Sequence, residues 1–230
     1  MITLCLETAT ARIGVALTKD SRLIAETLLD APGGLQNRLL MPAIERALAD
    51  SMLHIEQIDL FACAVGPGSF TGVRTGIAAV QGLALALQKP CVGISTLAML
   101  AMNCPQTTLP VYPLLDARKQ EVYVGGYHVS TFPACILPDQ ALAPSTLLER
   151  ITTPALFLGD GARRYRALIQ DTLGELALFA PDTADTIRPS NGCLLAEADY
   201  ATGNAISPEQ LLPRYLRLSE AELSRQNNAA

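Results

Sequence analysis

The sequence predicts an α/β protein built as two subdomains, each a mixed sheet flanked by helices. Three observations carry this reading. Apolar runs of strand length come first as a group and then alternate with helical patterns. A break rich in Pro and Thr at residues 103–113 is followed by a second set of strand-like runs. Half of the 230 residues are hydrophobic and only 17% are charged, which suffices for a sizeable core.

Taken in order, residues 2–6, 14–18 and 23–29 read as three strands, the last two joined by a Lys19-Asp20-Ser21 turn. Short links between them point to an antiparallel meander. Residues 35–52 carry helical spacing at Leu40, Ile44, Ala47 and Leu48, with Pro42 marking a late start or a kink. Residues 60–65 form a buried strand, 71–88 a helix and 91–94 a strand, and Ser95 caps a helix over 97–102. This order matches the ribonuclease-H-like core of the actin-like ATPase fold. The boundary is placed at the 103–113 break, giving an N-terminal subdomain over 1–103, a C-terminal one over 104–218, and a flexible tail over 219–230 with little to bury. In the second unit, 111–115, 122–129 and 155–158 read as strands, and 147–151, 162–173 and 193–202 as helices. A degenerate copy of the first half is compatible with this pattern, but the residues alone do not reveal one.

The most informative stretch is Gly66-Pro67-Gly68-Ser69-Phe70-Thr71-Gly72-Val73-Arg74-Thr75-Gly76. Four glycines in eleven residues, at a strand-to-helix turn, require close approach by another group. A phosphate on the helix N-terminus is the usual occupant. The spacing matches neither common phosphate loop: Val73 follows Gly72 where Walker A needs Lys, and the glycines run G-x-G-x-x-x-G.

A net charge of -5 without a Lys/Arg cluster argues against a chain that grips nucleic acid alone. Six cysteines without a C-x-x-C pair, and no signal-peptide pattern, favour buried free thiols in a reducing cytoplasm. No apolar run reaches the ~18 residues of a membrane span, the longest ending at Lys89-Pro90, so none is expected. Between residues 60 and 115 the only charges are Arg74 and Lys89. The helix over 71–88 therefore shows Ala78, Ala79, Gln81, Gly82, Leu85 and Ala86 around its girth. Either the chain encloses this helix, or the helix docks on a partner through a small, uncharged face.

The glycine-rich stretch resembles the signature of the bacterial TsaB (YeaZ) family and its paralogue TsaD, of tRNA threonylcarbamoyladenosine biosynthesis. Further similarities follow in order along residues 1–217: Leu6-Glu7-Thr8-Ala9-Thr10, with Glu where Asp is usual; Asp116-Ala117-Arg118 with Glu121-Val122-Tyr123; Gly159-Asp160-Gly161; and Pro213-Arg214-Tyr215-Leu216-Arg217. The resemblance implies the actin-like fold and a non-catalytic cytoplasmic subunit. That subunit pairs with a TsaD-like catalytic subunit through N-domain helices, is joined by a TsaE-like ATPase, and forms a homodimer when alone. It implies indirect contact with tRNA, no membrane, and no cofactor, with ATP or ADP confined to the interface of the assembled complex. The expected partner interface comprises Leu40, Ile44, Arg74, Ala78, Gln81, Gly82 and Leu85, and the family-motif loop Gly66, Gly68, Ser69, Thr71 and Gly72. Leu35 stands where many members carry His, so no chemistry is assigned there.

The residues give little support to autonomous catalysis. His54 and His128 are isolated, without metal-ligand spacing. In the first hairpin Ala9 and Ala11 stand where a phosphate site would favour glycine, and Glu7 can simply bond backbone amides. Gly68-Ser69-Phe70-Thr71-Gly72 is not G-x-S-x-G, so Ser69 and Thr71 read as helix caps. Arg74 opposes the helix dipole, which calls for an anionic partner: an intramolecular carboxylate, a partner's carboxylate or a nucleotide phosphate. Asp116, Arg118 and Glu121 fit an ion-paired turn. The competing class is an actin-fold ATP-binding enzyme, a small-molecule kinase or ATPase.

Overall fold

The computed structural model describes residues 1–217. The first sheet contains β1 (Ile2–Glu7), β2 (Arg12–Lys19), β3 (Arg22–Asp30), β4 (Leu60–Gly66) and β5 (Cys91–Ser95), in the order β3-β2-β1-β4-β5. β1, β2 and β3 form the expected antiparallel meander, and β4 and β5 add in parallel. The crossovers are α1 (Gln36–Asp50) and α2 (Phe70–Leu87), with the short α3 (Thr96–Ala101) after β5. β4 is buried at every position, as its unbroken apolar run requires. Helix α1 runs straight through Pro42 in sequence, and buries Leu40, Ala43, Ile44, Ala47 and Leu48.

The second sheet repeats the plan. β6 (Val111–Arg118), β7 (Glu121–Val129) and β8 (Pro133–Leu142) form an antiparallel meander, and β9 (Ala155–Leu158) and β10 (Ala177–Phe179) add in parallel on the other side of β6. The order β8-β7-β6-β9-β10 is the first sheet's order again. Two such units in one chain are the actin-like fold, as the sequence predicts, and the duplication invisible in the residues is plain in the topology. Between the strands lie α4 (Pro144–Leu148), α5 (Asp160–Arg164) and α6 (Arg166–Leu173).

Several elements differ from the sequence's expectation: the short helix expected over 147–151 is α4, three residues earlier, and β10 falls where no strand was expected. β8 was not anticipated, because Pro133 and Pro138 break its pattern; it is an edge strand, where a missing N–H is tolerated. The single helix expected over 162–173 is two, divided at Tyr165. The helix expected from 193 is α7 (Pro189–Ala201), starting at a proline that fits its first turn. This helix, allotted to a unit over 104–218, packs on β1, β2, β4 and β5 of the first sheet. The chain thus returns to the first sheet after building the second. The tail expected over 219–230 lies outside the described residues.

Helix α2 is long and apolar enough by length and composition to cross a membrane, contrary to the expectation from the sequence. In the fold its Val73, Ile77, Val80 and Ala84 are buried against the sheet.

Two apolar clusters fill the molecule. The larger spans both units, adding Val111, Leu115, Tyr127, Val129 and Leu158 to the first sheet's core along with Cys193 and Ala196 of α7. The smaller lies around Leu114, Val122, Phe157 and Ile169. Cys5, Cys63, Cys91 and Cys193 are free thiols inside the fold, as expected, and burial pushes the Cys91 thiol up to about 11; Cys104 is only half-buried and Cys135 is exposed, against that expectation.

Helix α7 is seated closely: a Cβ on Gly192 would fall 2.4 Å from Cys5 Sγ and 2.7 Å from Met99 Cε. Gly192→Ala is expected to cost ~1–3 kcal/mol by overpacking, read as a lower urea midpoint.

Candidate functional site

Two surfaces emerge around the glycine-rich turn. One is a cleft of about 450 Å³ between the two sheets, lined by the first hairpin (Ala9, Thr10), the turn (Gly68, Ser69), the end of β6 (Asp116, Arg118) and Asp160. Four motifs distant in sequence thus meet at one place. The other is the outer face of α2.

The close approach demanded by the glycines is made by the chain itself. A Cβ on Gly68 would lie 2.3 Å from the Ala9 carbonyl oxygen, and one on Gly72 only 2.0 Å from that of Thr8. Gly66 has φ +113 and faces the Arg214 carbonyl. The Ser69 N–H donates to the Ala9 carbonyl at 2.7 Å, and the Thr8 hydroxyl to that of Gly72 at 2.7 Å. Ser69 caps α2, its Oγ accepting from the Gly72 N–H at 3.3 Å. Thr71 lies within the first turn and is not the cap.

Glu7 closes β1 and is only 1% exposed. Its carboxylate accepts from the Ala9 N–H at 2.6 Å and the Thr10 hydroxyl at 3.1 Å. Burial outweighs these bonds and pushes its pKa up to about 7. Across the cleft, Asp116 is paired with Arg164 at 2.6 Å and Arg118 at 3.3 Å, and the Asp116 N–H donates to Asp160 at 3.0 Å. Burial also raises the Asp160 pKa, with the Asp116 charge adding to it against the opposing N–H bonds. The ion-paired turn expected here is present, except that Glu121 pairs with Arg217 at 3.0 Å. His54 and His128 are both exposed, and neither lines the cleft.

The α2 face carries exposed Thr71, Arg74, Ala78, Gly82, Leu85 and Ala86, with Leu85 57% exposed. Between α1 and α2 a groove is lined by Asn37, Phe70, Arg74, Thr75 and Ala78, its rim tied by the Thr75 hydroxyl on Asn37 at 2.7 Å. Leu40 and Ile44 do not belong to this face. Each is 2% exposed, because they are the residues by which α1 packs on its own sheet; Met41 is the apolar side chain that α1 leaves open. Gln81 is turned inward, donating to the carbonyls of Pro208 and Leu211 at 3.1 and 3.0 Å. Arg74 has no carboxylate among the described residues. Its guanidinium lies 3.8 Å over the Phe70 ring and donates to the Tyr215 hydroxyl at 2.6 Å. The sequence offered no sign of Tyr215 here, since 141 residues separate the pair.

Comparison with known proteins agrees with this architecture. The family model for TsaD, tRNA N6-adenosine threonylcarbamoyltransferase, matches residues 36–225. The tRNA threonylcarbamoyladenosine biosynthesis protein TsaB of Escherichia coli is 38% identical over 227 residues, covering 93% of this chain and 94% of that protein. TsaB of Bacillus subtilis is 31% identical, with 96% of each covered. This chain belongs to the TsaB (YeaZ) family. The structure of YeaZ from Pseudomonas aeruginosa superposes with a TM-score of 0.80 at 30% identity, covering 94% of this chain and 99% of that one. The first hairpin, glycine turn and α2 face described above are therefore features of a TsaB-family protein, in the context of tRNA threonylcarbamoyladenosine biosynthesis.

Two outcomes follow for this site. Gly72→Ala drives a methyl into the Thr8 carbonyl and is expected to cost ~2 kcal/mol or more, checked by chemical denaturation. Glu7 has a folded pKa above its unfolded value, so its contribution to stability is full below about pH 4.5 and is lost as pH rises through about 7. Glu7→Gln should therefore flatten the pH dependence between 5 and 8 and be the more stable form at pH 8, by roughly 1–3 kcal/mol. Melting curves at the two pH values test this.

Proposed function

We propose that this chain is a non-catalytic subunit of the machinery that installs threonylcarbamoyl on the tRNA adenosine beside the anticodon. In this reading it binds and activates a TsaD-like catalytic subunit through the open face of α2. The supporting observation is that face: Ala78, Gly82, Leu85 and Ala86 lie on the surface with Arg74 as the one charge in the helix. Small residues let a partner helix come close, and an uncharged patch loses little on desolvation. Arg74, held by aromatic rings and a hydroxyl rather than by a carboxylate, is available to an acidic group of the partner.

Catalysis by this chain alone is disfavoured by the state of its cleft. The cleft carboxylates Asp116 and Asp160 are engaged in an internal ion pair or hydrogen bond, and Glu7, buried outside the lining, bonds its own hairpin. In the proposed assembly ATP or ADP enters at the interface, together with a TsaE-like ATPase, and the net charge of -5 leaves tRNA contact to the partner. Without that partner, two copies meet through the same face. The cleft volume favours one competitor, an ATP-binding enzyme of the same fold.

Reconstitution separates the two. A TsaD-like subunit, a TsaE-like ATPase, threonylcarbamoyl-adenylate and unmodified tRNA are combined with and without this chain, and modified adenosine is quantified by mass spectrometry. The expected result is modification that depends on this chain, with none from the chain alone. Equal modification in its absence, or ATP turnover by the isolated chain, would overturn the proposal. Ala78→Glu and Leu85→Glu, two turns apart on the face, should each weaken the complex by roughly 100-fold or more and leave monomers in gel filtration.

A further inference from the structure

The Pro213-Arg214-Tyr215-Leu216-Arg217 motif lies outside both the cleft lining and α2, yet it touches both halves of the molecule. After α7 the chain runs along the first unit. Ile206 and Cys91 exchange backbone hydrogen bonds at 2.9 and 3.0 Å beside β5. Gln81 of α2 holds the Pro208 and Leu211 carbonyls, and the Arg214 N–H donates to the Val65 carbonyl at 2.7 Å. The Tyr215 ring stacks on Phe70 at 4.7 Å and receives Arg74.

The same residues reach into the second unit. The Arg214 guanidinium lies 3.5 Å from Asp139 of β8, a carboxylate whose side chain is 2% exposed. Asp139 also accepts from the Ser95 hydroxyl of β5 at 2.6 Å and from the Tyr127 hydroxyl of β7. It is therefore bonded from the first sheet, from the second sheet and from the returning segment at once. Arg217 donates to the Ala117 carbonyl at 2.7 Å and pairs with Glu121, so it grips the β6–β7 hairpin whose Ala117 and Arg118 form one wall of the cleft.

We infer that residues 206–217 are a strap that holds the two subdomains at a fixed closure, and that docking at the α2 face acts on the cleft through it. The second half rests on the docking role proposed above. The physical basis is short: Tyr215, at the edge of the docking face, lies between Arg214, which binds the buried Asp139, and Arg217, which binds the cleft wall. A partner that reorients the Phe70–Arg74–Tyr215 stack moves both anchors, and linkage requires that a change in closure alter the partner's affinity in return. Demonstrating such a route takes a coupling measurement rather than proximity.

Hydrogen–deuterium exchange on the full chain provides it. In the free protein, Arg214→Ala leaves Asp139 short of a partner. It should speed exchange by roughly tenfold in β8 and at the end of β4 as well as in the strap, and Arg214→Lys should restore part of the protection. Faster exchange confined to residues 206–217 would show a segment that merely lies on the surface, and would overturn the strap. In the second arm a saturating TsaD-like subunit is added. Wild type should gain protection at 113–123; Arg217→Ala, whose bonds are to Ala117 and Glu121 of the second sheet, should bind but lose that gain. A gain of equal size in Arg217→Ala refutes the coupling. Absence of binding by wild type refutes the docking role and the coupling with it, while the free-chain arm still decides the strap.

Discussion

Backbone meets backbone where the first hairpin touches the start of α2. The carbonyls of Thr8 and Ala9 sit where Gly72 and Gly68 would otherwise carry side chains. No other residue type permits contacts of 2.0 and 2.3 Å from a Cβ position. This contact sets the distance of α2 from β1 and β4 and the angle at which its N-terminus leaves the sheet. It also places Ser69 over the hairpin, so that the floor of the cleft is protein backbone tied by short hydrogen bonds.

The two faces of the molecule follow from that one constraint. Helix α2 turns Val73, Ile77, Val80 and Ala84 toward the sheet and is left with a surface of small and apolar residues. On the cleft wall Asp116 is already committed to Arg164, while Glu7, buried outside the lining, is committed to the hairpin it leads into. A glycine turn of this kind thus serves to dock an element of its own chain.

The returning chain gives the duplicated fold its unity. Each unit has the same strand order, yet α7 packs on the first, and the segment behind it bonds both. Glu26 fixes the start of α7 by bonding Arg188 and the Ser190 N–H; burial alone would raise its pKa, but these bonds hold it below the usual value. Glu197 accepts from the Thr18 and Ser21 hydroxyls further along. These polar ties orient the helix, and from there residues 206–217 are carried across to the second sheet.

By itself the sequence determined the strands and helices of the first unit, because an apolar run or a helical repeat is local and each residue reports its own burial. It also determined that the glycine turn needs close approach, and that α2 lacks charge, since both are properties of one short stretch. It reached the family through the same local motifs. What lay beyond it were matters of which surface meets which. That a hairpin rather than a phosphate fills the glycine turn, that Leu40 and Ile44 face inward while Met41 faces out, and that Arg74 finds Tyr215 all depend on packing between distant segments. An edge strand such as β8 hides behind its prolines because pairing on one side alone suffices to hold it. Composition marks where a chain changes character, as at residue 103, whereas only the tertiary structure decides to which core it later returns, as α7 returns to the first sheet.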